Sequence, residues 1–255
     1  MKSKRLKKRY IILILLFLTI IWVVFTNTHI QTTRLEIKNS NILSGFTGYK
    51  IAVIADLHNK DWGNKLIKPL EDEAPDIIVI VGDLIDSSHT DLDIALDFIG
   101  NAKQIAPVYY VSGNHEAWSN QYETLKESLL EEDIIVLDDE KLLLSHNNDE
   151  IMLLGLQDTD FNNRNKTSID NKLKELVGDY KGYKILLSHR PEYFESSITS
   201  GIDLALTGHA HGGQVRIPFI GGLVAPNQGF LPKYTSGVYS KGSTDMVVSR
   251  GLGNS

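Results

Sequence analysis

The amino-acid sequence predicts an α/β fold in which a largely parallel sheet packs against a second sheet within one domain. Three short apolar runs in the first half, each followed by a helical stretch, predict the parallel sheet. After residue 133 most of the apolar runs lie close together, which predicts the second sheet. Hydrophobic residues make up 42% of the 255 residues and charged residues 23%, as is usual for a globular chain.

In the first half, predicted strands and helices alternate along the chain. Continuous apolar character indicates strands that are covered on both faces, at Ile51–Ala55, Ile77–Val81 and Val108–Val111. Helical patterns occur at Lys65–Glu73, Asp91–Lys103 and Asn120–Glu131. Before the first βα unit, Thr32–Lys38 alternates apolar and polar residues, which predicts a half-buried strand.

The second half contains mostly strands. They are predicted at Ile134–Leu137, Lys141–Ser145, Ile151–Leu156, Lys184–Leu187, Asp203–Leu206, Val215–Ile217 and Met246–Ser249. One helix is predicted near Ser168–Val177. Without repeats or a low-complexity linker in the sequence, a single domain over residues 33–255 accounts for all these elements.

The first thirty residues have the composition of a membrane segment. Six cations open the chain, at Lys2, Lys4, Arg5, Lys7, Lys8 and Arg9. The uncharged apolar run Tyr10–Phe25 spans about 24 Å as a helix, and residues 26–30 can complete a span of roughly 30 Å. A cleaved signal peptide is the alternative, but Thr26–His29 offers no small-x-small cleavage site, so an uncleaved anchor is favoured.

We therefore expect a basic cytoplasmic flank at residues 1–9 and a transmembrane anchor at residues 10–28. The positive-inside rule places the cations in the cytoplasm. The prediction is a single-pass protein of the cell membrane whose domain over residues 33–255 is extracytoplasmic.

Charge and cysteine content exclude several functional classes. Residues 31–255 hold 20 Lys and Arg against 32 Asp and Glu, a net charge of −12. General nucleic-acid binding is not expected, because it depends on many cations facing the phosphate backbone. The absence of cysteine excludes disulfides, thiolate zinc sites and cysteine nucleophiles. No protein partner can be inferred from the sequence.

Polar residues that can bind metals follow five of the predicted strands. The motifs are Asp56-Leu57-His58, Gly82-Asp83, Gly113-Asn114-His115-Glu116, Ser188-His189 and Gly208-His209-Ala210-His211. Each motif alone is compatible with an ordinary turn. Ligands bind at the carboxyl ends of strands in such folds, so five motifs of this kind together predict a metal site.

The donor types fit two divalent metal ions. One ion can be held by Asp56, His58 and His211, the other by Asn114, His189 and His209, with Asp83 bridging both. Imidazole and carboxylate donors suit Mn, Fe, Zn or Co. Such a pair can activate water as hydroxide and stabilise both oxygens of an in-line displacement.

In this arrangement His115 is not a ligand of either metal ion. Its position beside Asn114 leaves it free to stabilise the transition state or to protonate the leaving alkoxide. It is the candidate catalytic residue.

The five motifs resemble, in order, the signatures of the calcineurin-like metallophosphoesterases over roughly residues 50–217. The longer strings Ser188–Glu192 and Gly208–Arg216 resemble a membrane-associated bacterial branch of phosphodiesterases and UDP-diacylglucosamine diphosphatases. The resemblance implies a four-layered α/β/β/α sandwich, a dinuclear centre of Mn, Fe or Zn with the ligands given above, and His115 as the catalytic histidine.

The expected function is hydrolysis of phosphodiester or related bonds in a membrane-proximal substrate, either lipid-linked or a nucleotide-sugar. Two alternatives remain at this point. A nuclease could use Arg190, Arg216 and Lys233 as a local basic groove, although the body is acidic. A non-catalytic, metal-dependent scaffold is disfavoured because the sequence retains His115 and every ligand position of the family.

Overall fold

The structure, a computed structural model, describes residues 2–217 and 221–253. The chain divides into two compact units, Met1–Arg34 and Leu35–Ser255.

The first unit contains one long helix, α1 (Lys2–Thr28). Within it, the 18 residues Lys8–Phe25 are long and apolar enough to cross a membrane, a property that signal sequences share. The hydroxyls of Thr19 and Thr28 donate to backbone carbonyls four residues earlier, at 2.9 and 2.8 Å. These polar groups are therefore satisfied within the helix, as a lipid environment requires.

The second unit begins with a sheet of four parallel strands. They are β1 (Ile51–Ile54), β2 (Ile77–Val81), β3 (Val108–Val111) and β4 (Ile135–Val136), in that spatial order. The accompanying helices are α2 (Asn64–Glu73), α3 (Leu92–Ala102), α4 (Asn114–Trp118) and α5 (Tyr122–Glu131). The predicted parallel sheet is confirmed for β1, β2 and β3, whereas β4, which was predicted among the strands of the second sheet, pairs with β3 and completes the first sheet.

The remaining strands form one large sheet and one small sheet. In chain order they are β5 (Lys141–His146), β6 (Asp149–Leu156), β7 (Lys184–Ser188), β8 (Leu204–Thr207), β9 (Val215–Ile217), β10 (Gly221–Ala225), β11 (Gly229–Phe230), β12 (Gly237–Lys241) and β13 (Thr244–Val248). The large sheet has the order β12-β13-β8-β7-β6-β5, and the small sheet the order β11-β10-β9. The helices of this half are α6 (Lys166–Val177) and α7 (Phe194–Thr199).

Two apolar cores account for the layers of the fold. The first lies between the four-stranded and six-stranded sheets and includes Val79, Val81, Leu153 and Leu187. The second, on the far face of the larger sheet, joins strand residues to α6 and α7. Residues Ile78 and Ile80 are also buried, and alternation along β2 directs them to the opposite face.

Helices α2, α3 and α5 each bury one apolar face, and both α2 and α5 contact α3. They supply the outer layer of the four-stranded sheet. The four-layered α/β/β/α sandwich is therefore confirmed. Replacing a fully buried core residue such as Leu153 by alanine would cost about 2–5 kcal/mol in the free energy of unfolding.

The predicted strand at Thr32–Lys38 is wrong. The segment pairs with no strand in the described part of the chain. Ile37 packs on the core between the sheets, whereas Leu35 is exposed. The alternation therefore reflects the packing of a single side chain and not a hydrogen-bonded ladder.

Several short elements were not predicted, namely α4, α7, β10, β11 and β12. Each is short, and most lack the continuous apolar run that marks the central strands. Val215–Ile217 does form a strand, but it lies in the small sheet and not in the larger one.

Candidate metal centre

The predicted site residues meet where the carboxyl ends of strands from both large sheets come together. Asp56 follows β1, and its backbone N–H donates to the Gly82 carbonyl after β2 at 3.0 Å. Across the sheets, the N–H of His209 donates to the Asp56 carboxylate at 3.1 and 3.2 Å. Backbone and side-chain hydrogen bonds therefore fix these loops relative to one another.

Five of the seven predicted ligand residues have a left-handed backbone. Their φ angles are 53° for Asp56, 50° for His58, 52° for Asp83, 64° for His209 and 48° for His211. This conformation costs roughly 1–2 kcal/mol for a residue with a Cβ atom. Strained backbone of this kind is characteristic of functional sites, where surrounding contacts hold it in place.

Glycine is required at two motif positions because the loops that carry the candidate ligands approach each other closely there. A Cβ atom on Gly208 would lie 2.7 Å from both the Ala55 Cβ and the Asp56 Oδ2. A Cβ atom on Gly113 would lie 2.6 Å from the backbone nitrogen of Asp83. Neither position has room for a side chain, which explains the glycine in each motif.

One group of potential metal ligands contains Asp56, His58, Asp83 and His211, whose ligand atoms all lie within 4.8 Å of one another. His58 Nε2 lies 3.4 Å from His211 Nε2 and 3.7 Å from Asp83 Oδ2. His211 Nε2 lies 3.4 Å from Asp56 Oδ1. These convergent imidazole and carboxylate donors could hold one divalent cation.

A second group contains Asp83, His189 and His209. The Nε2 atom of His189 lies 3.1 Å from Asp83 Oδ2, 3.1 Å from Asn114 Oδ1 and 3.1 Å from His209 Nδ1. The carboxylate of Asp83 belongs to both groups. Six of the seven predicted ligand residues are thus brought together in the two groups, and the seventh, Asn114, lies beside the second group through its contact with His189.

The tautomer of His189 is set by the backbone. Its Nδ1 lies 2.8 Å from the Val81 carbonyl, which can only accept, so Nδ1 carries a proton and Nε2 points to Asp83. Burial lowers the pKa of His189, but the Asp83 and Asp56 carboxylates outweigh it and raise this pKa to about 10. Without a metal, His189 is therefore an imidazolium at neutral pH.

The partners of His189 have shifted pKa values as well. Burial raises the pKa of Asp83, but the positive charge on His189 outweighs it and holds that pKa well below its usual range. Burial, together with the charge on His189, holds the pKa of His209 well below its ordinary value. Asp83 is ionised and His209 neutral, which are the states that metal ligands require.

His115 lies beside the two groups, with its ring centroid 4.4 Å from that of His58. The backbone N–H of Ser87 donates to His115 Nδ1 at 3.1 Å, so a neutral His115 carries its proton on Nε2. The Asp86 carboxylate lies 3.5 Å from Nδ1 of His115 and 3.6 Å from Nδ1 of His58. These three residues form a further group that could hold a cation.

The family pattern described as "Calcineurin-like phosphoesterase" matches residues 49–213, which is well over half of the chain. The chain belongs to this family. As a calcineurin-like phosphoesterase it is a metal-dependent hydrolase of phosphate esters, and the His and Asp groups described above could hold divalent metal.

Relatives of this calcineurin-like phosphoesterase include the metallophosphoesterase YkuE of Bacillus subtilis, which is 30% identical over 232 residues. The match covers 88% of this chain and 79% of YkuE. The metallophosphoesterase Cj0846 of Campylobacter jejuni is 32% identical over 212 residues. That match covers 80% of this chain but only 54% of Cj0846. The chain thus spans about half the length of this second relative.

Among solved structures, the fold is similar to that of TT1561 from Thermus thermophilus. The TM-score is 0.54 at 14% identity, with 80% of this chain and 90% of TT1561 covered. The phosphopantetheinyl hydrolase of Mycobacterium tuberculosis gives a TM-score of 0.52 at 12% identity, with 80% and 90% covered. At these identities the similarity concerns the fold alone.

Glu116 has a structural role in the site that sequence reasoning missed. Its buried carboxylate accepts three backbone hydrogen bonds, from Gly113 at 2.6 Å, Asp83 at 2.9 Å and Ile85 at 3.1 Å. Burial and the Asp83 charge raise the pKa of Glu116 to about 8, against the effect of the backbone donors. The motif contained this glutamate, but its sequence position gave no indication that it joins two loops.

Arg190 does not line a basic groove, so that interpretation was wrong. The guanidinium is buried and donates to Asp158 at 2.7 and 2.9 Å, and it lies 2.9 Å from Asp160. Arg216 donates to the Gly212 carbonyl at 2.7 Å. Of the three cations that would have supported a nuclease, Arg190 is buried in ion pairs and Arg216 is bound to the backbone, whereas Lys233 is exposed over the Tyr234 ring.

Proposed function

We propose that this phosphoesterase hydrolyses phosphodiester or related phosphate bonds at a dinuclear centre. The ligand set is Asp56, His58 and His211 for one ion, Asn114, His189 and His209 for the other, and Asp83 for both. The observation that carries the proposal is the position of Asp83 Oδ2, which lies 3.7 Å from His58 Nε2 and 3.1 Å from His189 Nε2. One carboxylate oxygen is thus available to both groups.

The charge of the ligands favours an anionic substrate. Asp56 and Asp83 contribute about −2, while the four histidines and Asn114 ligate as neutral groups, so two divalent ions would leave the site at about +2. Such ions would supply a hydroxide at neutral pH and neutralise charge on the phosphate oxygens. The donors fit Mn, Fe or Zn.

His115 would act on the leaving group. As an imidazolium, with the Asp86 carboxylate 3.5 Å and the Ser87 hydroxyl 3.2 Å from its Nδ1, His115 would donate its Nε2 proton to the alkoxide that departs and become a neutral imidazole. His115 therefore complements the candidate ligands without being one of them.

We further propose that α1 anchors the enzyme in the cell membrane with the catalytic unit outside the cytoplasm. The uncharged segment within Lys8–Phe25 and the cations before it support this orientation. A relative from Bos taurus, 28% identical over 201 residues, is named as a transmembrane protein with a metallophosphoesterase domain. A membrane-proximal substrate, either lipid-linked or a nucleotide-sugar, would fit this location.

The test is hydrolysis of bis-p-nitrophenyl phosphate by the full chain, with Mn²⁺ and with a chelator, together with metal analysis. We expect Mn²⁺-dependent turnover and two ions per chain. Asp83→Ala should abolish turnover and lose one or both ions. Asp97→Ala, which removes an exposed carboxylate on α3, serves as the matched control and should change neither. Two bound ions and a near-normal rate in Asp83→Ala would contradict the proposal.

A further inference from the structure

His209 makes two contacts through its ring nitrogens. Its Nδ1 faces His189 Nε2 at 3.1 Å, inside the second group of candidate ligands. Its Nε2 faces away from that group and lies 3.2 Å from the side-chain nitrogen of Asn227. Asn227 follows β10, outside the five motifs, and sequence analysis assigned it no role.

Glu192 lies on the same side of His209 as Asn227. Its Oε1 is 3.8 Å from His209 Nε2. Both carboxylate oxygens are buried, and no hydrogen bond of ordinary geometry reaches them within the described residues. Burial raises the pKa of Glu192, and the Asn227 side chain is close enough to oppose that rise. A buried carboxylate without a well-placed donor is unfavourable. Its position beside a candidate ligand therefore calls for a partner.

The contact between Asn227 and His209 has two nitrogen atoms facing each other. An amide nitrogen can only donate, so this arrangement places the proton of a neutral His209 on Nδ1, where the candidate ligands converge. The oxygen and nitrogen of an asparagine amide exchange places when the group rotates by half a turn. After that rotation, Oδ1 accepts from His209 Nε2–H, and Nδ2 of the same amide is the candidate donor to the neighbouring Glu192 carboxylate.

We propose that Glu192 and Asn227 are positioning residues that form a relay to His209. Glu192 accepts from the Asn227 amide, and Asn227 accepts from His209 Nε2–H, which keeps the Nδ1 lone pair directed at the second metal ion. The inference rests on the proposed dinuclear centre. Hydrogen bonds of this kind to ligating histidines orient the ring, and their loss weakens metal affinity by roughly 10–100-fold.

The first test measures Mn²⁺ affinity of the full chain by isothermal titration calorimetry. Asn227→Ala should weaken binding at one of the two sites by about 10–100-fold and leave the other unchanged. Glu192→Ala should weaken the same site to a smaller extent. Glu192→Gln should retain part of the affinity, because its amide oxygen can still accept from Asn227.

A double variant separates a relay from two independent effects. Because Glu192 acts through Asn227, Glu192→Ala should cause no further loss of affinity once Asn227 is alanine. Glu195→Ala is the matched control, since Glu195 is partly exposed, lies three residues away and pairs with Lys241 at 2.7 Å. Thermal unfolding in chelator checks that every variant is folded.

The second test needs no metal. In the chelator-treated protein, ¹⁵N NMR of the His209 ring should report the proton on Nε2, and Asn227→Ala should reduce that preference. Wild-type affinity in Asn227→Ala, additive losses in the double variant, or a proton on Nδ1 of His209 in the wild type would each overturn the relay. A wild-type chain that binds a single Mn²⁺ would instead overturn the dinuclear centre, while the ring tautomer still tests the relay.

Discussion

The backbone N–H of Asp83 donates to the buried Glu116 carboxylate at 2.9 Å, and Glu116 thereby determines where the shared carboxylate of the site can lie. The same Glu116 oxygen accepts from Gly113 at 2.6 Å. One side chain thus joins the loop after β2 to the loop after β3, which together carry Asp83, Asn114 and His115.

Glu116→Gln should loosen this junction. The new amide group would direct N–H bonds at backbone N–H donors, so at least one buried donor would lose its acceptor. We expect the free energy of unfolding to fall by about 1–3 kcal/mol. Urea denaturation in chelator above pH 8, where Glu116 is ionised, measures the effect, with the exposed Glu123→Gln as a control of equal charge change. Equal stability of the two variants would contradict the structural role.

The stability of the metal-free protein should fall as the pH rises towards 10. The pKa of His189 is about 10 in the folded protein and 6.5 in the reference state. A raised folded pKa contributes stability that is complete below 6.5 and lost as the pH passes through 10. Glu116 has a raised pKa of about 8, so its deprotonation also lowers the stability as the pH rises, but mostly below pH 8. The loss of stability between about pH 8 and 10 therefore reports on His189.

Urea denaturation in chelator across that interval measures the loss. His189→Ala should flatten the dependence on pH, whereas the exposed His89→Ala should preserve it. Metal and proton compete for His189, so Mn²⁺ binding near pH 7.5 should release about one proton from this residue. Calorimetry in buffers of different ionisation enthalpy measures the number of protons released on Mn²⁺ binding. Binding without proton release would contradict the imidazolium state of His189.

His115→Gln should lower the rate and leave the metal content unchanged. Loss of a general acid reduces turnover by roughly 10²–10⁴-fold. The loss should be smaller for p-nitrophenolate, a leaving group that needs no proton, than for a simple alkoxide. Equal losses for both leaving groups would indicate positioning or charge stabilisation by His115 and would exclude the acid role.

Removal of the predicted anchor should affect where the enzyme acts and not how it breaks bonds. Residues 31–255 should retain full activity on a small soluble phosphodiester. On a phosphodiester embedded in vesicles, they should be less efficient than the full chain, because anchoring raises the effective concentration of enzyme at the substrate. Equal activity of both forms on vesicles would contradict the anchor, as would recovery of mature protein that begins near residues 27–32 in the soluble fraction.

The central strands could be predicted closely because burial on both faces leaves a continuous apolar run. The predicted ranges of β2 and β3 agree with the structure at both ends. The strand prediction for Thr32–Lys38 was wrong because an alternating pattern does not reveal whether a neighbouring strand is available for pairing.

Prediction of the site stopped at residues whose roles depend on contacts between distant parts of the chain. The grouping of Asp83 with His58 and His189 followed from strand order and donor type, and the structure brings these residues together. Glu116 was visible in the motifs, but its partners are loop groups that only the fold brings near. The left-handed φ angle of Asp83 could not be predicted either, because an aspartate in the sequence does not by itself indicate this conformation.

The two groups of candidate ligands join residues as far apart in sequence as Asp56 and His211. Contacts of such high sequence separation form late and slowly in folding, because long loops must close first. A metal ion that binds only the completed site would stabilise the native state by about 4 kcal/mol at a thousand times its dissociation constant. Metal supply would then decide how long newly folded chains survive proteolysis, so metal starvation would reduce the abundance of the enzyme as well as its turnover.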